Sequence, residues 1–192
     1  MMLKEAGKMI EVKEYITKEV LIKEIGDVGM ITVRGDLSNK QFQLAITKNF
    51  NLEIPRPLTI NSNGKLSVAW MSSDELLILT YSDTNLEKIQ RSLISFLKDS
   101  HSLVLNVSSS RSFFLVKGPL WRELLAKGSP VDLRPTSFNK NSFRRTRMGQ
   151  VSVAFWMANE NSAFIICGRS YSDFFYDWLC NAAVEGSLSR FF

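Results

Sequence analysis

Hydrophobic and polar positions follow one order along this chain and then follow it a second time. Residues 31–37 (ITVRGDL), a strand-like run that ends near a glycine, match residues 114–120 (FLVKGPL), and the two glycines are 83 residues apart. Residues 68–71 (VAWM) are matched in the same way by residues 153–157 (VAFWM). A period this long is typical of one supersecondary unit used twice and not of a short solenoid repeat.

Each half contains the local patterns of a strand, a helix, a hairpin and a second helix. In the first half we predict a strand over 29–33, a helix over 39–46, a hairpin over 66–71 and 76–80, and a helix capped by Asp83 or Thr84. In the second half we predict strands over 103–107 and 113–116, a helix over 120–126 that Gly128 stops, a hairpin over 151–157 and 163–167, and a helix from Ser172 or Asp173.

Such a unit has one apolar sheet face, and that face needs another layer to cover it. We therefore predict an α+β fold in which two internally duplicated β-α-β-β-α units form a single domain over residues 1–192. The two repeats are placed at about 26–100 and 101–185.

Both ends of the chain lie outside these repeats. Residues 1–25 are charged and mildly amphipathic, and we expect an N-terminal arm that becomes ordered only against another surface. Residues 186–192 are predicted to form a C-terminal tail. Because two phenyl rings in water are unfavourable, we expect Phe191 and Phe192 to dock on this protein or on a partner.

The composition is that of an ordinary globular protein, with 45% hydrophobic and 22% charged residues. Aromatic residues reach 11%, and many follow residue 110. Either the second half carries most of the core, or part of its surface faces another protein.

The net charge of +5 is modest, and the densest basic cluster contains Lys140, Arg144, Arg145 and Arg147. We interpret this cluster as a solvated loop, since short basic runs are common on surfaces. Binding of a polyanion is the alternative, and it predicts strongly salt-dependent binding to nucleic acid. The low net charge argues against it, and we expect neither nucleic acid nor a membrane as a partner.

Two cysteines, Cys167 and Cys180, are too few for a disulfide scaffold or a cysteine-rich zinc site. We expect buried free thiols in a reducing compartment. The first residues carry lysine and glutamate without an unbroken apolar core, so we expect no signal peptide and a cytoplasmic location.

No recognisable catalytic motif occurs in the sequence. His101 is the only histidine, and we interpret it as a solvated loop residue, because a general base needs a nucleophile and an orienting group beside it. No glycine-rich nucleotide-binding motif follows a predicted strand. We therefore expect no catalytic, cofactor-binding or metal-binding residues in this chain.

Three blocks of sequence are harder to explain as ordinary turns. They are residues 127–135 (KGSPVDLRP), 146–151 (TRMGQV) and 169–174 (RSYSDF), the last followed by Trp178. In this order, with residues 106–108 (NVS) and 117–119 (KGP) before them, they resemble the gamma subunit of heterotetrameric sarcosine oxidase. The resemblance is clear in the C-terminal half. In the first half its main anchors are Trp70 and residues 74–77.

That resemblance implies the fold of the aminomethyltransferase folate-binding domain. It also implies a complex that oxidises sarcosine to glycine, hydrogen peroxide and a one-carbon unit on tetrahydrofolate. Alpha, beta and delta subunits would be the partners, and FAD, FMN, NAD and tetrahydrofolate would be bound by the partner subunits and not by this chain.

The sequence departs from the family pattern at Asn106 and Ser129, where the family often has Asp and Cys. The aminomethyltransferases carry an acidic residue after a glycine turn near the folate. The matching stretches here, residues 63–66 (NGKL) and 148–151 (MGQV), contain no carboxylate. A group must be present to transfer a proton, so we expect the folate chemistry to be absent even where the fold persists.

Our preferred hypothesis is therefore a non-catalytic subunit that braces a flavoenzyme. The alternative is a stand-alone folate-binding or one-carbon transfer protein, which predicts a central pocket with a carboxylate. Aromatic and arginine side chains are enriched at interface centres. On that basis the predicted interface residues are Trp121, Arg134, Arg147, Arg169, Tyr171, Trp178, Phe191 and Phe192.

Overall fold

The computed structural model describes residues 13–26, 28–81 and 85–192, and these contain eleven strands and four α-helices. The strands are β1 (Glu14–Ile16), β2 (Leu21–Ile25), β3 (Gly29–Arg34), β4 (Ile60–Ser62), β5 (Leu66–Ser72), β6 (Glu75–Thr80), β7 (Leu103–Asn106), β8 (Arg111–Lys117), β9 (Phe143–Met148), β10 (Val151–Asn159) and β11 (Ser162–Gly168). The helices are α1 (Lys40–Phe50), α2 (Leu86–Leu97), α3 (Trp121–Ala126) and α4 (Ser172–Ala182).

These strands form two antiparallel sheets. The six-stranded sheet has the order β1-β2-β8-β11-β10-β9, and the five-stranded sheet has the order β4-β5-β6-β3-β7. One core cluster lies between α1, α2 and the five-stranded sheet, and a second lies between α3, α4 and the six-stranded sheet. A third cluster, which we call the inner core, takes residues from the facing sides of both sheets. The α+β fold class is therefore confirmed.

The duplication is visible strand by strand. β3, β4, β5 and β6 occupy the same order in one sheet as β8, β9, β10 and β11 occupy in the other. The strand that precedes each unit is exchanged: β2 pairs with β8 of the second unit, and β7 pairs with β3 of the first. The boundary that we placed near residue 101 therefore divides the two repeats in sequence. β7 comes after that boundary, but it pairs with the sheet of the first half.

The predicted helices of the first half are present, with one longer than expected. Asn39 caps α1 through its side chain, which accepts hydrogen bonds from the amides of Gln41 and Phe42. The helix continues to Phe50, beyond the predicted end at residue 46, because Phe50 is buried and Asn51 then takes a left-handed conformation. The predicted caps Asp83 and Thr84 lie outside the described residues, and Asn85 caps α2.

The expectation of an N-terminal arm is wrong for residues 13–25. β1 and β2 are part of the six-stranded sheet, where Ile22 pairs with Val116. Val20 and Ile22 are fully buried in the core beneath α3 and α4. Because these side chains fill that core, the segment is built into the domain. The rest of the predicted arm, residues 1–12, lies outside the described residues.

The interpretation of the basic cluster as a loop is also wrong for its arginines. Arg144, Arg145 and Arg147 lie in β9, an edge strand that pairs with β10. The main-chain amide of Phe143 donates to the carbonyl oxygen of Leu58, so the β9 edge of one sheet touches the segment that leads into the β4 edge of the other. Side chains of successive strand residues point to opposite faces, which explains how the three arginines of β9 fit beside the core.

Candidate protein interface

The predicted interface residues fall on separate parts of the surface. Arg169 and Tyr171 lie in a single turn of 3₁₀ helix that leads into α4, and both are exposed. The Arg169 guanidinium lies 3.5 Å from a Glu24 carboxylate oxygen, and the Ser172 hydroxyl donates to the same oxygen over 2.8 Å. Phe174, the third residue of α4, is 57% exposed. This turn therefore presents a basic and an aromatic group side by side.

Trp178 lies at a different place on α4, where its indole fills a gap between two glycines. A Cβ atom at Gly128 would come within 2.6 Å of that ring, so this position requires glycine for close approach. We predicted Gly128 as a helix stop, but it does not take the positive φ of a left-handed cap. Trp178 also stacks on Phe175 at 6.2 Å. It is only partly buried, so one side of the indole remains on the surface.

Trp121 does not lie on the surface. It is 1% exposed, and its indole nitrogen donates to the carbonyl oxygen of Glu160 over 3.0 Å. Its neighbour Arg122, which the sequence analysis missed, is buried as well and donates to the carbonyl oxygens of Leu133 and Phe138. Burial lowers the pKa of Arg122 from its usual value. Both residues therefore hold the loop after α3 against the core.

Arg134 lies in that loop and is exposed. Its guanidinium donates to both carboxylate oxygens of Asp132, at 2.6 Å to Oδ2 and 2.9 Å to Oδ1. This hydrogen bond lowers the pKa of Asp132 below its usual range. The pair is exposed and local in sequence, so it shapes the loop and leaves Arg134 accessible.

The C-terminal tail contacts this chain through side chains and a main-chain amide. Glu123 is 5% exposed and accepts hydrogen bonds from the Ser189 hydroxyl and from the main-chain amide of Phe192, at 2.7 and 2.6 Å. Leu188 is buried against the core beneath α3 and α4. Phe191, in contrast, is 77% exposed. The tail is therefore held against this chain, but Phe192 is 40% exposed as well. The expected docking of Phe191 and Phe192 does not occur on this protein, and docking on a partner stays a prediction.

Arg147 lies on the inward face of β9, on the same side as Arg145. Arg145 and the largely buried Arg111 both approach the carboxylate of Glu75, at 4.0 and 3.7 Å. Burial lowers the pKa of Arg111. Two guanidinium groups thus share one carboxylate where the two sheets diverge. No sequence motif marks this cluster, because its members come from three separate strands.

A cavity of about 290 Å³ opens beside this cluster, between the sheets. Its lining includes both arginines of the cluster, Met71 and the buried thiol of Cys167. Small-molecule sites usually have volumes of about 300–1,000 Å³, so this cavity is at their lower limit. Glu75 is not among its lining residues. The charged side chains that line the cavity are therefore the two arginines, beside the hydroxyl groups of Ser110 and Ser152.

The two cysteines are free, as predicted. Burial raises the pKa of Cys167 to about 12, and burial also raises the pKa of Cys180. A thiol reacts as its thiolate, so both are poor nucleophiles at neutral pH. His101 is exposed, in agreement with the interpretation of a solvated loop residue.

The glycine turns that match the aminomethyltransferase folate region lie at two hairpins. Gly64 lies between β4 and β5, and Gly149 lies between β9 and β10, next to Trp178. Both take a positive φ, as a tight turn requires. Within residues 13–26, 28–81 and 85–192, no group of three or more His, Cys, Asp or Glu side chains is placed to hold a metal ion. None of the helices described is long and apolar enough to cross a membrane.

Comparison with known proteins supports the resemblance found in the sequence. A family model described as "Sarcosine oxidase, gamma subunit family" matches residues 34–185. The sarcosine oxidase subunit gamma of Corynebacterium sp. (strain P-1) is 29% identical over 119 residues, which cover 62% of this chain and 57% of that protein. The subunit gamma of an Arthrobacter species is 26% identical over a segment of the same length. The matched segment thus spans little more than half of these curated relatives.

Solved structures show the same fold. A chain of the heterotetrameric sarcosine oxidase from Corynebacterium sp. U-96 superposes with a TM-score of 0.81 at 22% identity, covering 92% of this chain and 90% of that one. The glycine cleavage system aminomethyltransferase T from Bartonella henselae superposes with a TM-score of 0.56 at 12% identity, covering 81% of this chain and 44% of that one. The expected likeness to aminomethyltransferases is confirmed at the level of the fold. Because the family model matches most of its length, this chain belongs to the sarcosine oxidase gamma subunit family.

Proposed function

We propose that this chain is a non-catalytic gamma subunit of a heterotetrameric sarcosine oxidase. In this role it braces a complex with alpha, beta and delta subunits that oxidises sarcosine to glycine, hydrogen peroxide and a one-carbon unit on tetrahydrofolate. The observation that carries the proposal is the family match over residues 34–185, together with the fold shared with a chain of a heterotetrameric enzyme.

The surface at the start of α4 supports a role in assembly. Tyr171 and Phe174 are 54% and 57% exposed, and Arg169 lies beside them. Exposed aromatic rings next to arginine are typical of the centre of a protein interface. Trp178 and Phe191 add two further aromatic groups that reach the surface of the second half. We propose that Arg134 and Arg147, both exposed, lie at the margin of the same interface.

In this proposal FAD, FMN, NAD and tetrahydrofolate are bound by the partner subunits. The cavity between the sheets agrees with that division, because its charged side chains are the guanidinium groups of Arg111 and Arg145, which cannot take the place of a carboxylate in proton transfer. The two free cysteines, with thiols kept protonated by burial, agree with a reducing cytoplasmic compartment.

Co-expression with candidate flavin-binding subunits tests the proposal. A tag on this chain should co-purify protein-bound flavin, measured by its absorbance near 450 nm. Replacement of Arg169 or Arg147 by alanine should reduce the co-purified flavin, while replacement of Lys48, an exposed residue of α1, should not. If the flavoprotein never co-purifies with the unmodified chain, the proposal is wrong.

A titration of the isolated chain with tetrahydrofolate distinguishes this proposal from the alternative, a stand-alone folate-binding or one-carbon transfer protein. The proposal predicts no saturable binding at micromolar concentrations. Saturable binding that is lost on replacing Arg111 by methionine would instead support a stand-alone folate-binding protein, since Arg111 lines the cavity.

A further inference from the structure

The two sheets end differently on the side of the exchanged strands. In the six-stranded sheet the exchanged strand β2 is followed by β1, which pairs with it in antiparallel fashion. In the five-stranded sheet the exchanged strand β7 is the last, and no strand of the described residues pairs with its outer side. An open strand edge is a ready template for pairing with another chain.

The hydrogen-bond register identifies which backbone groups point outward from β7. The amide of Val107 donates to the carbonyl oxygen of Met30 on β3. Because the pattern alternates in an antiparallel pair, Leu103 and Leu105 also bond toward β3, and Val104 and Asn106 point toward the open side. The Val104 carbonyl oxygen accepts a 3.3 Å hydrogen bond from the Gln90 side chain, which confirms that direction.

The same position is filled in the other sheet. Pairing of β2 with β8 and of β7 with β3 makes Glu24 the counterpart of Asn106. The amide of Glu24 donates over 2.9 Å to the carbonyl oxygen of Lys13, immediately before β1. In the six-stranded sheet, an antiparallel strand, β1, therefore occupies the position that is equivalent to the open side of β7.

Side chains around the open edge are apolar on both faces of the sheet. Leu103 and Leu105 project from one face and are 50% and 49% exposed. On the helix-covered face Ile94 is 49% exposed, one turn after Gln90 on α2. A strand added beside β7 would cover all three side chains. Such a strand needs apolar residues on both of its faces.

We propose that the open edge of β7 receives an antiparallel strand from a partner subunit, with apolar side chains on both faces. This inference rests on the proposed function, which supplies the partner. The chain's own counterpart of β1 cannot fill the edge, because the residues that precede β7 at the corresponding distance form the end of α2. A partner already held by other surfaces adds this strand at a high effective concentration.

Hydrogen–deuterium exchange with single-residue resolution tests the inference on the purified complex and on the isolated chain. Exchange at the amides of Val104 and Asn106 should slow by about tenfold or more in the complex, because only there do they gain acceptors. The amides of Leu103 and Leu105 already bond to β3, so they serve as internal references with little change. A complex that forms without protection at Val104 and Asn106 overturns the inference and leaves the proposed function intact. Protection of the same amides in the isolated chain would mean that its own residues 1–12 or a second copy fills the edge, and would also overturn it.

A pair of side-chain variants gives an independent test. The double variant Leu103→Glu/Leu105→Glu places carboxylates where the partner strand would bury them, and co-purification with the flavoprotein should weaken by about tenfold or more. Leu44→Glu is the control, since Leu44 is 52% exposed on α1 and belongs to neither β7 nor α2. Circular dichroism confirms that both variants fold. Equal co-purification of the double variant and the control contradicts the inference, whereas failure of the unmodified chain to co-purify the flavoprotein would reject the proposed function itself.

Discussion

The two sheets are built from the same repeated unit, but they differ in the residues of their cores and in how their edges are covered. The core beneath α3 and α4 contains five of the largest fully buried aromatic rings, which are Phe114, Trp121, Phe138, Phe155 and Phe175. The corresponding core beneath α1 and α2 is largely aliphatic, with Phe42 and Phe50 as its buried rings. The second sheet also gains β1 at its edge and the tail against α3. The second half is thus the more completely closed unit.

This difference separates two roles within one duplicated fold. The half with the aromatic core also carries the family's recognisable blocks and the exposed aromatic groups at the start of α4. The half with the aliphatic core keeps an open strand edge and exposed leucines. We propose that the extra packing of one copy fixes the scaffold, and that the edge of the other, which is open among the described residues, receives the partner strand. Substitutions at equivalent positions of the two halves can test that division.

The largest effect is expected for the aromatic residues of β10 and β5. Phe155 is 0% exposed, whereas Trp70, which the repeat in the sequence aligns with it, is only partly buried. In the sheets the residue equivalent to Phe155 is Val68, which pairs with Ile78 as Phe155 pairs with Ile165. Phe155→Ala should lower the free energy of unfolding by about 3–5 kcal/mol, through lost burial and the cavity left behind. Trp70→Ala should cost about half as much, since part of its ring is already in water. Urea denaturation of both variants measures the two values. Equal losses would contradict the view that the second core is the more tightly closed.

The two equivalent glycines after β3 and β8 provide the next comparison. A Cβ atom at Gly118 would lie 2.3 Å from the main-chain oxygen of Glu19, in the segment that leads into β2, and Gly118 has a φ of +139°. A Cβ atom at Gly35 would meet the edge of the Phe42 ring at 2.8 Å, and a ring can shift. Gly118→Ala should therefore cost about 3 kcal/mol, against about 1 kcal/mol for Gly35→Ala. Thermal denaturation of both variants measures which substitution costs more stability. A larger loss for Gly35→Ala than for Gly118→Ala would show that the segment before β2 shifts easily to accommodate a Cβ atom.

A smaller effect is expected at the carboxylate that holds the tail. Glu123 lies on α3 and accepts two hydrogen bonds from the tail, whereas the equivalent helix α1 contains no acidic residue. Glu123→Gln should reduce stability by about 1–2 kcal/mol, because a buried amide replaces one acceptor by a donor. Glu87→Gln, at an exposed ion pair with Arg91, is the control and should change stability by less than about 0.5 kcal/mol. A Glu123→Gln loss no greater than the control would mean that the tail is not held there.

The reactivity of the two thiols measures how tightly the second half is closed. This measurement does not require a change in the stability of the fold at neutral pH. At pH 8 a disulfide reagent should modify the partly buried Cys180 first, and Cys167 about a hundredfold more slowly, because burial raises the pKa of Cys167 to about 12. The unfolded chain releases this proton near pH 9.0, so the contribution of Cys167 to stability is present below pH 9.0 and is lost as the pH rises toward about 12. Rapid modification of Cys167 in the Cys180→Ser variant at pH 8 would show that the core beneath α3 and α4 opens readily.

The sequence was sufficient to predict the regular elements, because turn residues and apolar periodicity are local signals. The strands over 29–33, 151–157 and 163–167 and the helix from Ser172 are examples. The exchange of β2 and β7 was not predictable, since strand partners are set by long-range packing that leaves no local mark. For the same reason the arginines of β9 resembled a loop, and residues 13–25 resembled an arm.

The candidate site was predicted less well than the fold. Arginine and tryptophan have the same sequence signature in a core as at an interface, so Trp121 was chosen although it is buried, and Arg122 was missed. Arg169, Tyr171 and Phe191 are exposed, as an interface role requires, but exposure alone does not identify a partner. The cluster of Glu75, Arg111 and Arg145 forms only when three strands meet.

Size-exclusion chromatography of this chain, co-expressed with candidate flavin-binding subunits, tests the central claim most directly. The account predicts one peak that contains both flavin and this chain and that produces hydrogen peroxide from sarcosine. A flavoprotein that elutes separately, with this chain alone near 21.9 kDa, would contradict it.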